Sequence, residues 1–168
     1  MELSVRRCAR VLPTGVVLLG TAVLAAPVAQ ADNKRLNSAV VSAVYTLQHQ
    51  VGCTNDVIRN NALTLAAEWH AEDMMNNRNI DGDIGSDGST PQDRANAAGF
   101  RGRAAETVAI NPAIAISSLE LVNQWYYNAD DMAIIRDCAN TTIGVWSDNS
   151  MDRTVVVAVY GQPDLAKR

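Results

Sequence analysis

The stretch Asn77–Phe100, NRNIDGDIGSDGSTPQDRANAAGF, carries two different signals in one segment. Its first half counts like a calcium loop. Asn77, Asn79, Asp81, Gly82 and Ile84 stand at positions 1, 3, 5, 6 and 8 of an EF-hand, where oxygen ligands, a turn glycine and an apolar residue belong. Gly88 closes the count where a bidentate glutamate is needed, and the first ligand is an amide, so the match is incomplete. The second half is a helix start. Thr90-Pro91-Gln92-Asp93 has the form of a capping box with proline at the first helical position, and it predicts a short helix over 91–98, stopped by Gly99.

Upstream, RNNALTLAAEWHAEDMM continues a helical pattern from about Asn55 to Asn77, with Asn55 or Thr54 as its cap. Before it, Leu36, Val40, Val44, Leu47 and Val51 recur at helical spacing until Gly52. Downstream, AAETVAI around Glu106 leans towards strand. Pro112 then predicts a third substantial helix, AIAISSLELVNQWYY, broken at Asn128-Ala129-Asp130. The β-branched runs TTIGVWS and TVVVAVY flank the turn-forming DNSMDR and predict an antiparallel hairpin. Early helices with late strands imply an α+β domain in which helices cover an antiparallel sheet.

At the amino terminus, Arg6, Arg7 and Arg10 precede VVLLGTAVLAA, and APVAQA places Ala29 and Ala31 at the small-x-small positions of a cleavage site before Asp32. Residues 1–31 thus read as a secretory signal peptide and 32–168 as one exported domain. The apolar run is short for a bilayer span and no second one follows, so no transmembrane segment is expected after cleavage. Cleavage removes three arginines and one glutamate, which leaves 11 Lys+Arg against 17 Asp+Glu, a net charge of −6. Such a domain lacks the positive field that nucleic acid and anionic membrane surfaces require. It also loses Cys8, so Cys53 and Cys138 remain as an even pair in an oxidising compartment and are expected to join.

LTLAAEWHAEDM, GSDGSTPQDRANAAGF, AAETVAIN, NQWYYNADDMAII, TTIGVWS and VVVAVYGQP, in that order, resemble bacterial members of the CAP superfamily, the cysteine-rich secretory, antigen 5 and pathogenesis-related (SCP-like) proteins. The resemblance covers essentially the whole mature chain. It implies a three-layer α/β/α sandwich with a central antiparallel sheet. It also implies a shallow cleft which, in the family, two histidines and two glutamates line and a divalent cation can occupy. Here the first histidine position falls on Asp83 and the second on Asp131. One glutamate is retained as Glu106, and Asn128 stands where members have the other.

Two readings of these carboxylates stand side by side. Imidazole suits zinc and copper, whereas carboxylate oxygens suit calcium and magnesium, so Asp83, Glu106 and Asp131, with Asp130 nearby, could form an all-oxygen site for a hard cation. Alternatively, Asp81, Asp83 and Asp87 serve only the turns, since Asx side chains and glycines satisfy tight loop backbone without an ion.

Only His49 and His70 could titrate near neutral pH, and His70 resembles a scaffold residue of the family. No G-x-S-x-G or H-E-x-x-H motif is present, and hydrolysis would need Ser86 or Ser89 to meet a histidine, so an enzyme is not expected. Trp125, Tyr126 and Tyr127 are consecutive, and helix residues point about 100° apart, so one or two should reach the surface; they form either a ligand wall or ordinary core packing of Trp125 with partly exposed tyrosines. Asn140-Thr141-Thr142 matches a glycosylation sequon.

The resemblance implies a secreted, non-catalytic binding protein that needs no cofactor. Its ligand would be a lipid or other small apolar molecule, held near Glu106, Trp125, Tyr126, Tyr127 and Asn128, at the cell envelope or outside the cell. The alternative is a calcium- or magnesium-dependent module that docks a protein or cell-wall partner through the acidic cleft.

Overall fold

The computed structural model describes residues 28–164, with side chains from Asn33 onward. Most of the expected leader, residues 1–31, lies outside the described residues; its last four begin the first helix. The elements are α1 (Val28–Gln50), β1 (Ile58–Arg59), α2 (Asn61–Asn76), α3 (Pro91–Ala97), β2 (Gly102–Asn111), α4 (Ser118–Tyr126), α5 (Ala129–Ile135), β3 (Thr142–Ser150) and β4 (Arg153–Pro163).

The sheet has the order β1-β3-β4-β2. The late hairpin pairs β3 with β4 antiparallel, and β2 adds antiparallel to the other edge of β4. β1 is the exception to the expected antiparallel sheet, since its two residues pair parallel with Thr142 and Ile143.

β4 explains the layering. Successive strand residues point to opposite faces, and this strand is apolar on both. Val155, Val157 and Val159 pack with Leu63, Ala66, Ala67 and Met74 of α2 and with Ala95 of α3. Val156, Ala158 and Tyr160 pack with Val40 and Val44 of α1, Leu121 and Trp125 of α4, and Met132 and Ile135 of α5. The result is the expected α/β/α sandwich. α2 lies close enough to β3 that a Cβ added at Gly144 would run into the backbone of Leu63 and Thr64.

Local chemistry sets the helix limits. Thr90 and Asp93 form the expected capping box, with Pro91 at the first helical turn. α2, in contrast, starts later than expected. Asn60 is its cap, with Oδ1 accepting from the Ala62 and Leu63 amides at 2.9 and 3.1 Å, because the preceding residues are drawn into β1. The third expected helix also shortens. Ser117 and Glu120 form a second capping box, so Pro112–Ile116 stays outside the helix. Tyr127 caps the end of α4, and Asn128, the next residue, starts α5, accepting from the Asp130 and Asp131 amides. Cys53, just past α1, is bonded to Cys138, just past α5, with their Cα atoms 5.3 Å apart.

Candidate functional site

Three elements bring His70, Arg94 and Glu106 together inside the protein. His70 comes from the inner face of α2, Arg94 from α3 and Glu106 from the middle of β2. His70 Nδ1 lies 2.5 Å from Glu106 Oε1. Arg94 Nη2 donates to Oε1 at 3.0 Å and stands 3.2 Å from Oε2, and it also donates to the Asp83 carbonyl at 2.7 Å. Arg94 Nη1 donates to the Ser89 carbonyl at 2.8 Å. All three side chains are almost completely buried. A carboxylate can only accept, so the imidazole holds its proton on Nδ1. Arg94 thus ties the acidic loop to the sheet through one guanidinium.

On one side of this cluster is the cleft that the sequence resemblance implied. Asp81, Asp83, Glu106, Asn128, Asp130 and Asp131 line it, around a space of about 280 Å³. Of the expected residues, Asp83, Glu106, Asn128 and Asp131 line this cleft, whereas Trp125, Tyr126 and Tyr127 are not part of its lining. The carboxylates do not form the expected cation site. Glu106 is neutralised by Arg94, and among the described residues no three His, Cys, Asp or Glu side chains stand together so as to hold a metal ion. The Arg94 pairing of Glu106 weighs against a hard cation held by Asp83, Glu106 and Asp131. Partial burial, with repulsion from Asp130, instead raises the Asp131 carboxyl from its ordinary value to about 6. Asn128 has a clear role as the α5 cap.

The acidic loop is held by its own side chains. Asp73 accepts from the Ser86 amide at 2.7 Å and from the Ser86 hydroxyl at 2.6 Å. Asp87 accepts from the Ser89 amide at 2.8 Å. This is turn chemistry, and it replaces the EF-hand count. Two residues essential to the loop, Asp73 and Arg94, were not singled out in the sequence. The signal was available: an arginine one residue past a capping-box aspartate, on a helix only two turns long, has little room to avoid the core.

Of the aromatic run, Trp125 is buried and donates its indole N–H to the Val108 carbonyl at 3.0 Å. Tyr126 and Tyr127 reach solvent and meet edge to face. Asn140 is buried, and its amide nitrogen donates to the Ile134 carbonyl at 2.8 Å, which removes it as a glycan acceptor. Neither loop serine is hydrogen-bonded to a histidine among the described residues: the Ser86 hydroxyl donates to Asp73, and the Ser89 hydroxyl accepts from Arg94.

No family model matches the sequence, and no curated protein matches it. Solved structures do. An outer surface protein of Borrelia burgdorferi superposes with a TM-score of 0.67 at 19% identity, over 78% of this chain and 95% of that one. An extracellular protein containing an SCP domain from Bacillus anthracis gives 0.65 at 13% identity, over 77% of this chain. A cysteine-rich secretory protein from Staphylococcus aureus gives 0.54 at 10% identity, over 76%. This chain spans 41% and 38% of the last two. These likenesses show the fold alone: the chain is folded like the SCP, or CAP, domains among them. Among the described residues no helix is long and apolar enough to cross a membrane.

Proposed function

We propose that this chain is an exported, non-catalytic CAP-fold protein that binds a lipid or other small apolar ligand, at the cell envelope or outside the cell, without a cofactor. The observation that carries this reading is the outer face of α4 and the segment leading into it. Ile114, Leu119, Tyr126 and Tyr127 are 57, 70, 50 and 85% exposed. Leu119 and Tyr126 are seven residues apart and share a stripe with half-buried Val122, which packs at the edge of the core beside Leu121 and Trp125. Scattered exposed apolar residues are ordinary, whereas several on one short segment mark a contact surface. Tyrosine suits such a surface because it offers an apolar body with a polar tip.

The non-catalytic part rests on His70, which is sealed in and engaged by Glu106, and on the loop serines, which are engaged elsewhere. Export rests on the leader-like amino terminus. The alternative, a calcium- or magnesium-dependent module, has weaker support because Arg94 already neutralises Glu106.

Native mass spectrometry of the protein secreted from its own source, before and after a chelator, tests the reading. A lipid-sized adduct that survives the chelator supports it. An adduct of calcium or magnesium mass that the chelator removes supports the alternative, and a bare polypeptide that also fails to take up added lipid overturns the apolar-ligand reading.

A further inference from the structure

The exposed stripe on α4 ends beside a cation. The Arg136 guanidinium lies over the Tyr126 ring, 5.9 Å from its centroid. Arg136 caps the end of α5 and is exposed, and among the described residues it has no ion-pair partner. Its sequence neighbour Asp137 is engaged elsewhere: that carboxylate accepts from the Ala139 amide and from the Gln162 side-chain amide, each at 2.9 Å. The seven residues of helix from Leu119 to Tyr126 rise about 10 Å. Over that length the surface passes from an aliphatic side chain through a tyrosine to a free guanidinium.

A single apolar molecule finds no enclosed seat beside this stripe. Pockets that hold small ligands are concave, mostly apolar and cover most of the ligand's surface. The cavity next to Tyr127 is lined otherwise by Asn111, Glu120, Asn123 and Gln124, all of them polar. Leu119 and Tyr127, 70 and 85% exposed, project into solvent. Projecting apolar side chains, tyrosines and an arginine together match the outer layer of a bilayer. There apolar side chains reach the acyl boundary, tyrosines sit at headgroup level and arginine meets phosphate oxygens.

Charge decides which bilayer. The mature balance of 11 Lys+Arg against 17 Asp+Glu opposes a strongly anionic surface. Around the stripe itself the balance differs. Glu120, the carboxylate of α4, is turned back to the helix start, accepting from the Ser117 hydroxyl at 2.8 Å and amide at 3.0 Å, and Asp130 and Asp131 line the acidic cleft. One free arginine suits the phosphate of a lipid whose own headgroup is otherwise cationic.

We propose that α4 and its lead-in dock this protein on the surface of a zwitterionic phospholipid bilayer, with Ile114, Leu119, Tyr126 and Tyr127 entering the headgroup region and Arg136 pairing with lipid phosphate. This rests on the reading of α4 as the apolar contact surface, and it names the form in which the lipid is met: a layer rather than one extracted molecule.

Flotation of the intact mature protein with phosphatidylcholine vesicles tests the proposal, beside an NMR titration with a short-chain phosphatidylcholine kept below its micelle concentration. Vesicle binding is expected. The joint variant Leu119→Ser and Tyr127→Ser should weaken it about tenfold or more by removing apolar area, and Arg136→Gln about threefold or more. Arg78→Gln, at an exposed arginine just past α2 on the other layer, should leave it unchanged. Binding of the monomeric lipid without binding of vesicles overturns the bilayer proposal and leaves the apolar-ligand reading standing, whereas binding of neither overturns both. Vesicle binding that the α4 variant does not weaken, or that Arg78→Gln weakens as much as Arg136→Gln, also overturns the proposal.

Discussion

Arg94 and Glu106 form an ion pair sealed from water, with Nη2 at 3.0 and 3.2 Å from the two carboxylate oxygens. The arginine lines a cavity between α2, the acidic loop and α3, and the glutamate lines the acidic cleft, so the pair forms part of the wall between them. Removing one partner of a buried pair leaves an uncompensated charge and costs about 3–5 kcal/mol. Arg94→Met should therefore destabilise strongly in urea unfolding, and it should also loosen the loop at Ser89 and Asp83. Adding Glu106→Gln should recover part of the loss. A single variant as stable as the parent would contradict the ion pair.

Asp131 gives stability a dependence on pH. Its ordinary value is 3.8, and in the folded protein it is raised to about 6. Between these values the folded state holds more protons than the unfolded chain, so the contribution of this group to stability falls as pH rises through that window. The side chain is partly solvated, so the effect is screened to on the order of 1 kcal/mol or less. Asp131→Asn should flatten the slope between pH 4 and 6 and leave the protein slightly more stable at pH 7. Unfolding midpoints measured across that range check both points.

Cys53 and Cys138 close a loop of 85 residues. On the chain-entropy view this bond stabilises by about 4–5 kcal/mol. Replacing both with serine should lower the unfolding free energy by that order, and thiol labelling of the unfolded mature protein should find no free cysteine.

At Gly144 the backbones of β3 and α2 come into close contact. Gly144→Ala would press a methyl group against the Leu63 and Thr64 backbone, which has no side-chain freedom with which to yield. Destabilisation of about 3 kcal/mol is expected. Gly82→Ala, where the added methyl meets nothing, serves as the control.

The layered fold was legible because its signals are periodic: the doubly apolar β4, the helical repeat from Leu36 to Val51 and the Thr90 capping box each dictate one structure. The boundaries were less legible. Asn60 rather than Asn55 caps α2 because the intervening residues find a sheet partner in Thr142 and Ile143, a contact across more than eighty residues that local spacing does not encode. α5 was hidden because Asn128, directly after the α4 cap Tyr127, begins the next helix at once. At the site, the sequence identified the residues of the cleft but not their charge balance. The carboxylates could be counted, but the match between Glu106 and Arg94 depends on α3 and β2 lying side by side.

The most direct measurement is methyl-resolved NMR of the intact mature protein titrated with a fatty acid or sterol in dilute detergent. Saturable shifts are expected at the Ile114 and Leu119 methyls and at the Tyr126 and Tyr127 rings, with the core methyls of Val157 and Val159 nearly unmoved. Methyl signals that stay in place throughout the titration, or that move only in the core, would contradict an apolar ligand site on α4.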